Sequence, residues 1–260
     1  MRGLNLVYNL TMKNVCRIYT LEPLKNNQPL ELDKDKTHYL KNVLRKEQGD
    51  FIRIFNGQDG EWLSEIIEFT KKSCILEIKQ NLKAQPQKQD LRLIFAPLKQ
   101  ARLNFLIEKS VELGVTELIP ILTEHTHVRE FNRDRIKNIV IEAAEQCERL
   151  CHPTIHPLIT LPVFLSQWPL EKIVFMSDER LNSPSLIQRI IGPLSSPDFS
   201  LLVGPEGGFS SLEFDLFSRY KFIQSVSLGQ TILRAETAAI AGLAVCHIAR
   251  EAGVINEKVI

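Results

Sequence analysis

Two apolar runs in the C-terminal half stop at glycine and restart as helices, and they constrain the fold more than any other feature. The first is residues 201–210, LLVGPEGGFS. Leu201, Leu202 and Val203 read as a buried strand, and Gly204, Gly207 and Gly208 free the backbone to turn or to approach a ligand closely. Ser210 with Glu213 three residues on is a capping box that opens a helix. The second is residues 227–239, SLGQTILRAETAA, where a strand ends at Gly229 and a long helix former runs over 234–249. Glycine loops at the carboxyl ends of strands, each leading into a helix, are where α/β proteins place small ligands.

The rest of the second half keeps this alternation. Apolar stretches at 91–96, 117–122 and 172–177 read as strands. Residues 103–113 have helical period and close at Gly114, and 133–148, 183–191 and 210–219 read as further helices. The pattern predicts a mostly parallel sheet with helices on both faces. Residues 1–88 read differently. Short strands at 17–20, 50–56, 61–69 and 73–80 surround one helical region at 35–44 and a GQDG turn at 57–60, which predicts a small β-barrel. The polar, proline-bearing stretch 84–89 is the linker candidate, so the expected domains are 1–88 and 89–260.

A chain of 260 residues with 44% hydrophobic content can bury a full core. No apolar run reaches the length of a membrane span, and the N-terminus lacks the pattern of a signal peptide. Five scattered cysteines argue against a disulfide framework and for a reducing cytoplasm. Cys147, Cys151, His152 and His156 lie close in sequence, but their spacing matches no zinc pattern. The two cysteines are expected on the core stripe of a helix tail, and no metal is expected. His125 and His127 read as polar loop residues. Residues 1–88 carry 15 Lys and Arg against 11 Asp and Glu, whereas 89–260 carry 17 against 20. The basic N-terminal half is therefore the nucleic-acid face to test. GPEGG lacks the Lys-Ser/Thr of a phosphate-binding loop, and no G-x-G-x-x-G occurs, so neither an NTPase nor a Rossmann dinucleotide site is supported.

The same loops carry a resemblance. GPEGG with LGQTILRAETA resembles the RsmE family of ribosomal RNA methyltransferases, in the SPOUT superfamily. KSVELGV at 109–115, EAAEQCER at 142–149 and HYLKNVLR at 38–45 resemble further motifs of that family in the same order. The similarity runs from about Arg17 to Arg250 and begins just after Met12, an alternative start that would make residues 1–11 a disordered extension. Two positions depart: Gln100 follows Lys99 where the family usually has glycine, and Thr231 stands where arginine is common.

The resemblance implies a trefoil-knotted C-terminal domain behind a PUA-like barrel, and a homodimer acting in the cytoplasm. It implies methylation of N3 of a uridine in 16S ribosomal RNA, with S-adenosylmethionine as donor and the assembled small subunit as the expected substrate. Leu202, Gly204, Pro205, Gly208, Leu228, Gly229, Ile232 and Leu233 become the expected cofactor residues. Arg234 and Glu236, at the mouth of the second loop, are the catalytic candidates. Arg17, His38, Lys41 and Arg45 are the candidates for RNA contact, the last three falling on one face of a helix. A non-catalytic RNA-binding protein on the same fold is the alternative, and a metal-dependent hydrolase a third reading.

Overall fold

The structure is a computed structural model, and it describes residues 15–87, 89–180, 182–191 and 198–251. The proposed extension at 1–11 and the alternative start lie outside the described residues. The chain divides into two compact units. The first runs up to Gln87 and also takes in Ala144–Cys151, and the second comprises the remainder.

The first unit is built on a five-stranded sheet of order β1-β3-β4-β5-β2. Its strands are β1 (Arg17–Tyr19), β2 (Pro29–Leu32), β3 (Phe51–Phe55), β4 (Glu61–Phe69) and β5 (Cys74–Lys83). β1 and β3 pair in parallel, and the other pairings are antiparallel. Register shifts interrupt the β4–β5 ladder at three places, which increases local twist and bends the sheet around its core. That core is Ile18, Leu30, Leu32, Leu40, Ile52, Ile54, Ile66, Leu76 and Ile78 among others. Each such side chain contributes roughly 1.5–3 kcal/mol when fully buried.

The helical region at 35–44 is shorter and less regular than its sequence predicts. Helix α1 (Lys34–His38) is capped by the Asp33 side chain, which accepts from the Lys36 amide. A π-helical turn follows over Tyr39–Val43, and Arg45 then takes a left-handed φ of 53°.

The second unit holds a seven-stranded parallel sheet. Its main path is β12-β10-β11-β6-β7-β8, and β9 pairs β7. The strands are β6 (Leu91–Phe95), β7 (Glu117–Leu122), β8 (Thr154–Ile155), β9 (Ile159–Thr160), β10 (Val174–Ser177), β11 (Phe199–Val203) and β12 (Ile223–Val226). β6, flanked by β11 and β7, is buried along its length, as a strand covered on both faces must be. The two-residue strands β8 and β9 are too short to leave a periodic signal in sequence.

Helices α2 (Gln100–Glu112), α3 (Arg133–Gln146), α4 (Leu161–Gln167), α5 (Leu186–Ile191), α6 (Ser211–Phe217) and α7 (Ala235–Glu251) complete the chain. α5 begins three residues later than the sequence predicts, behind Ser185, whose carbonyl and hydroxyl both accept amides of its first turn. α6 opens with the capping box read from sequence: Ser210 accepts from the Glu213 amide, and Glu213 accepts from that of Ser210. α7 packs against β11 at Gly242, where a Cβ would come within 2.6 Å of a Leu201 methyl.

Cys147 is exposed and lies just past the end of α3, so it does not join the core stripe expected of it. His156 is held by Glu117 at 2.8 Å. That contact, with Arg92 beside it, draws the Glu117 carboxyl down to about 2. Among the described residues no group of three or more His, Cys, Asp and Glu is arranged to hold a metal ion, and no helix is long and apolar enough to cross a membrane.

Candidate functional site

β11 delivers the first glycine loop at its carboxyl end, and its neighbour β10 ends beside it at Ser177. Gly204 follows Val203 directly, and a Cβ there would lie 2.9 Å from the Phe209 ring. The missing side chain lets Phe209 fold under the loop, into an edge-to-face cluster with Phe214 and Phe217. Gly208 has φ +67°, and a Cβ there would fall 2.5 Å from the Glu179 carboxylate. That carboxylate accepts from the Phe209 amide at 3.1 Å.

From the neighbouring 123–126 turn, His125 Nδ1 lies 3.1 Å from the carbonyl oxygens of both Gly207 and Gly208, and the Glu124 amide donates to the capping-box Glu213. His125 and Glu179 thus hold the loop from two sides. The sequence signal for them was weak, because each is a lone polar residue just past a strand and its partners are backbone groups far along the chain.

These elements border a cavity of about 470 Å³. It is lined by Ser177 at the end of β10 and Glu179 just after it, by Val203–Gly208, by Arg102 from α2, and by Ile232–Ala235 with Ala238 at the start of α7. The volume falls in the range of small-ligand sites, and the position outside the carboxyl ends of parallel strands is where open α/β sheets bind ligands.

Of the expected cofactor residues, Gly204, Pro205, Gly208, Ile232 and Leu233 line this cavity together. Leu202 does not. It is fully buried in the core with Ile94, Met176 and Phe209, because alternate positions of a strand face opposite ways and this one faces the packed side. Leu228 and Gly229 also lie outside the lining. Gly229 has φ +140° with open space where a Cβ would stand, so its role is to turn the chain rather than to clear room. The Ser227 hydroxyl donates to the Gly229 carbonyl and accepts from its amide, which fixes that turn.

The two catalytic candidates separate. Arg234 is exposed and lines the cavity. It directly precedes α7, and its carbonyl accepts from the Ala238 amide. A cation here opposes the positive end of the helix dipole and cannot cap it as an Asp or Ser would. Glu236 is buried in the first turn of α7, outside the lining, with Oε1 3.7 Å from Arg102 Nε. Glu206 lies 3.4 Å from the same guanidinium. Glu236 thus lies in the first turn of α7, where a carboxylate complements the helix dipole, within ion-pair distance of Arg102.

The RNA candidates also divide. His38, Lys41 and Arg45 are all exposed. The π-helical turn and the left-handed Arg45 break the straight helical stripe expected of them. Lys41 sets its ammonium 5.5 Å above the Phe69 ring. Arg17 is a correction: it is only 6% exposed. Its guanidinium donates to Glu61 at 2.5 Å and to the carbonyls of Ala144, Glu145 and Arg149 at 2.8–3.1 Å, and it lies 4.3 Å over the Phe55 ring. Four of its donors are thereby committed inside the protein, and the side chain is not presented at the surface. The arginine closes the C-terminal end of α3, where helix carbonyls lack partners.

Comparison with known proteins places this architecture. Residues 85–247 match the family described as RNA methyltransferase domain, and residues 32–79 match the RNA methyltransferase PUA domain. Ribosomal RNA small subunit methyltransferase E of Rickettsia conorii is 40% identical over 229 residues, covering 88% of this chain and 93% of that one. The enzyme of the same name from the Buchnera aphidicola of Schizaphis graminum is 36% identical over 91% of this chain and 97% of its own. Among solved structures, the Neisseria gonorrhoeae ribosomal RNA small subunit methyltransferase E bound to S-adenosyl methionine superposes with a TM-score of 0.81 at 29% identity, covering 90% of this chain and 98% of that one. A Legionella pneumophila methyltransferase in complex with the same cofactor gives 0.80 at 30% identity, over 91% and 98%.

The PUA domain and the parallel α/β unit with its loop-lined cavity define an RNA methyltransferase. Within that class the chain belongs to the RsmE family, that of ribosomal RNA small subunit methyltransferase E.

Proposed function

We propose that this protein methylates N3 of a uridine in 16S ribosomal RNA, with S-adenosylmethionine as methyl donor. The observation that carries the reading is the convergence of a glycine loop, an apolar wall and a cavity-lining arginine at the ends of β10 and β11.

The cavity fits the donor. Ile232 and Leu233 offer an apolar wall for an adenine, and the loop over 204–208 borders the cavity opposite them. Glu179 supplies negative charge for a cationic ligand. When bound, the cofactor supplies a methyl carbon made electrophilic by its sulfonium.

Uridine N3 carries an imide proton and becomes a nucleophile once that proton leaves. The described cavity lining holds no His, Cys or Lys. Glu179 is tied to the Phe209 amide, and Glu206 faces Arg102. The remaining group, Arg234, stabilises the anion instead of taking the proton, and the proton passes to solvent. Incubating the protein with small ribosomal subunits and isotope-labelled donor should yield one 3-methyluridine on mapping of the RNA. Label on a carbon, on a ribose or on no RNA would overturn the reading.

The N-terminal unit supplies RNA affinity through His38, Lys41 and Arg45, which contact phosphates and orient the uridine without selecting it. Lys41→Ala and Arg45→Ala should each weaken RNA binding and reduce the log–log salt slope by about 0.9 or less, since each lost phosphate contact releases one counterion fewer. Cofactor affinity should stay unchanged. Binding titrations at several salt concentrations measure both, and an unaltered slope would mean that the two residues only solvate the surface. The same reading carries the trefoil crossing of the superfamily, a homodimer, and action in the cytoplasm on the assembled small subunit.

A further inference from the structure

We propose that Glu179 makes the site selective for the sulfonium-bearing methyl donor over its product, S-adenosylhomocysteine, whose sulfur is neutral. The proposal rests on reading the cavity as an S-adenosylmethionine site.

Glu179 leaves the end of β10 and lines the cavity, half-buried. Its Oε1 accepts from the Phe209 amide at 3.1 Å and occupies the space that a Gly208 side chain would fill. The carboxylate is thus fixed against the glycine loop. Its charge is not taken up by an ion pair, although the adjacent Arg180 and the cavity-lining Arg102 and Arg234 are near it. The adjacent Arg180 is turned to Asp178, to which it donates through Nε and Nη2 at 2.9 Å each, and it stacks 3.6 Å over the Phe214 ring. Arg102 is shared between Glu206 and Glu236. Among the described residues no cation lies within ion-pair distance of Glu179.

A carboxylate held at a cavity wall outside any ion pair favours a cationic ligand. The donor meets that need at its sulfonium. In the transfer, the nitrogen pair of the deprotonated uridine forms the N–C bond. The C–S bond breaks with its electron pair remaining on sulfur, so the sulfur charge falls from positive to zero. The attraction to Glu179 ends at the moment product forms. One fixed carboxylate therefore favours loading with donor and release of product.

The test is calorimetric binding of S-adenosylmethionine, S-adenosylhomocysteine and sinefungin, which carries a protonated amine in place of the sulfonium. Glu179→Gln keeps an oxygen acceptor for the Phe209 amide and removes the charge. It should weaken the two cationic ligands about tenfold and the neutral product about twofold or less, as expected for loss of a partly screened charge pair. Glu179→Asp keeps the charge and should keep the preference for donor over product, which tests the idea even if the glutamine variant folds poorly. Equal weakening of all three ligands by Glu179→Gln, or no weakening, would assign the residue to loop support and overturn the proposal. A wild-type protein that binds none of the three would instead overturn the cofactor reading and this proposal with it.

Discussion

Arg234→Ala is expected to lower the rate of methyl transfer about a hundredfold or more while changing cofactor affinity little. Removing one preorganised donor from a developing anion costs about 10²–10³ in rate. Among the described residues Arg234 is the cavity-lining cation without an acidic partner, since Arg102 lies between Glu206 and Glu236. It also stands where a cation is unfavourable for α7, at the positive end of a 17-residue helix.

The proton side of the mechanism gives this variant a signature. If the arginine stabilises an anion formed by loss of a proton to solvent, raising the pH restores part of the variant's rate, because more uridine is already deprotonated. Arg234→Lys should rescue incompletely, for a point charge lacks the planar fork of donors. Glu236→Gln should act differently, by releasing Arg102 and weakening cofactor binding more than turnover. Single-turnover rates on small subunits across pH decide among these outcomes. Normal turnover in Arg234→Ala would remove the residue from the chemistry.

What could be read from sequence depended on the range of the interaction. The glycine loop and the capping box of α6 are local, and a stretch of ten residues contains both halves of each contact. The parallel sheet was legible because each buried strand is a short apolar run followed by a helix. Strand facing was harder. Leu202 and Val203 look alike in an apolar run, yet one packs into the core and the other borders the cavity. The charged residues were least legible. Glu236 and Arg234 share a motif, but Glu236 is buried toward Arg102 of α2 while Arg234 lines the cavity, so only the folded unit separates the buried acid from the cavity-lining cation. His125 and Glu179 were missed for the same reason.

Arg17 is the sharpest case, and it leads to the second large effect. A basic residue opening a β-rich domain was expected on RNA, and instead it is buried with Glu61, which is 0% exposed. Arg17→Ala should destabilise the N-terminal unit by about 3–5 kcal/mol, because it strands a buried carboxylate and leaves helix carbonyls without donors. Arg53 and Lys83 stay 3.7 and 3.6 Å from the other Glu61 oxygen but are also engaged by Glu148, so they offset only part of the loss.

Trp62 lies in this unit and Trp168 in the other, so in a Trp168→Phe background the fluorescence of Trp62 follows the N-terminal unit alone. Its urea midpoint should fall sharply in Arg17→Ala. Joint replacement by Arg17→Met and Glu61→Leu should recover much of the loss, because apolar residues of similar size leave no stranded charge. Acid should act on the same network. Arg53 and Lys83 hold the Glu148 carboxyl down to about 2 from an ordinary 4.5, so the stability this confers is complete above pH 4.5 and is lost as pH falls towards 2. An Arg17→Ala protein that melts like its parent but binds RNA with a shallower salt slope would return the arginine to the RNA face.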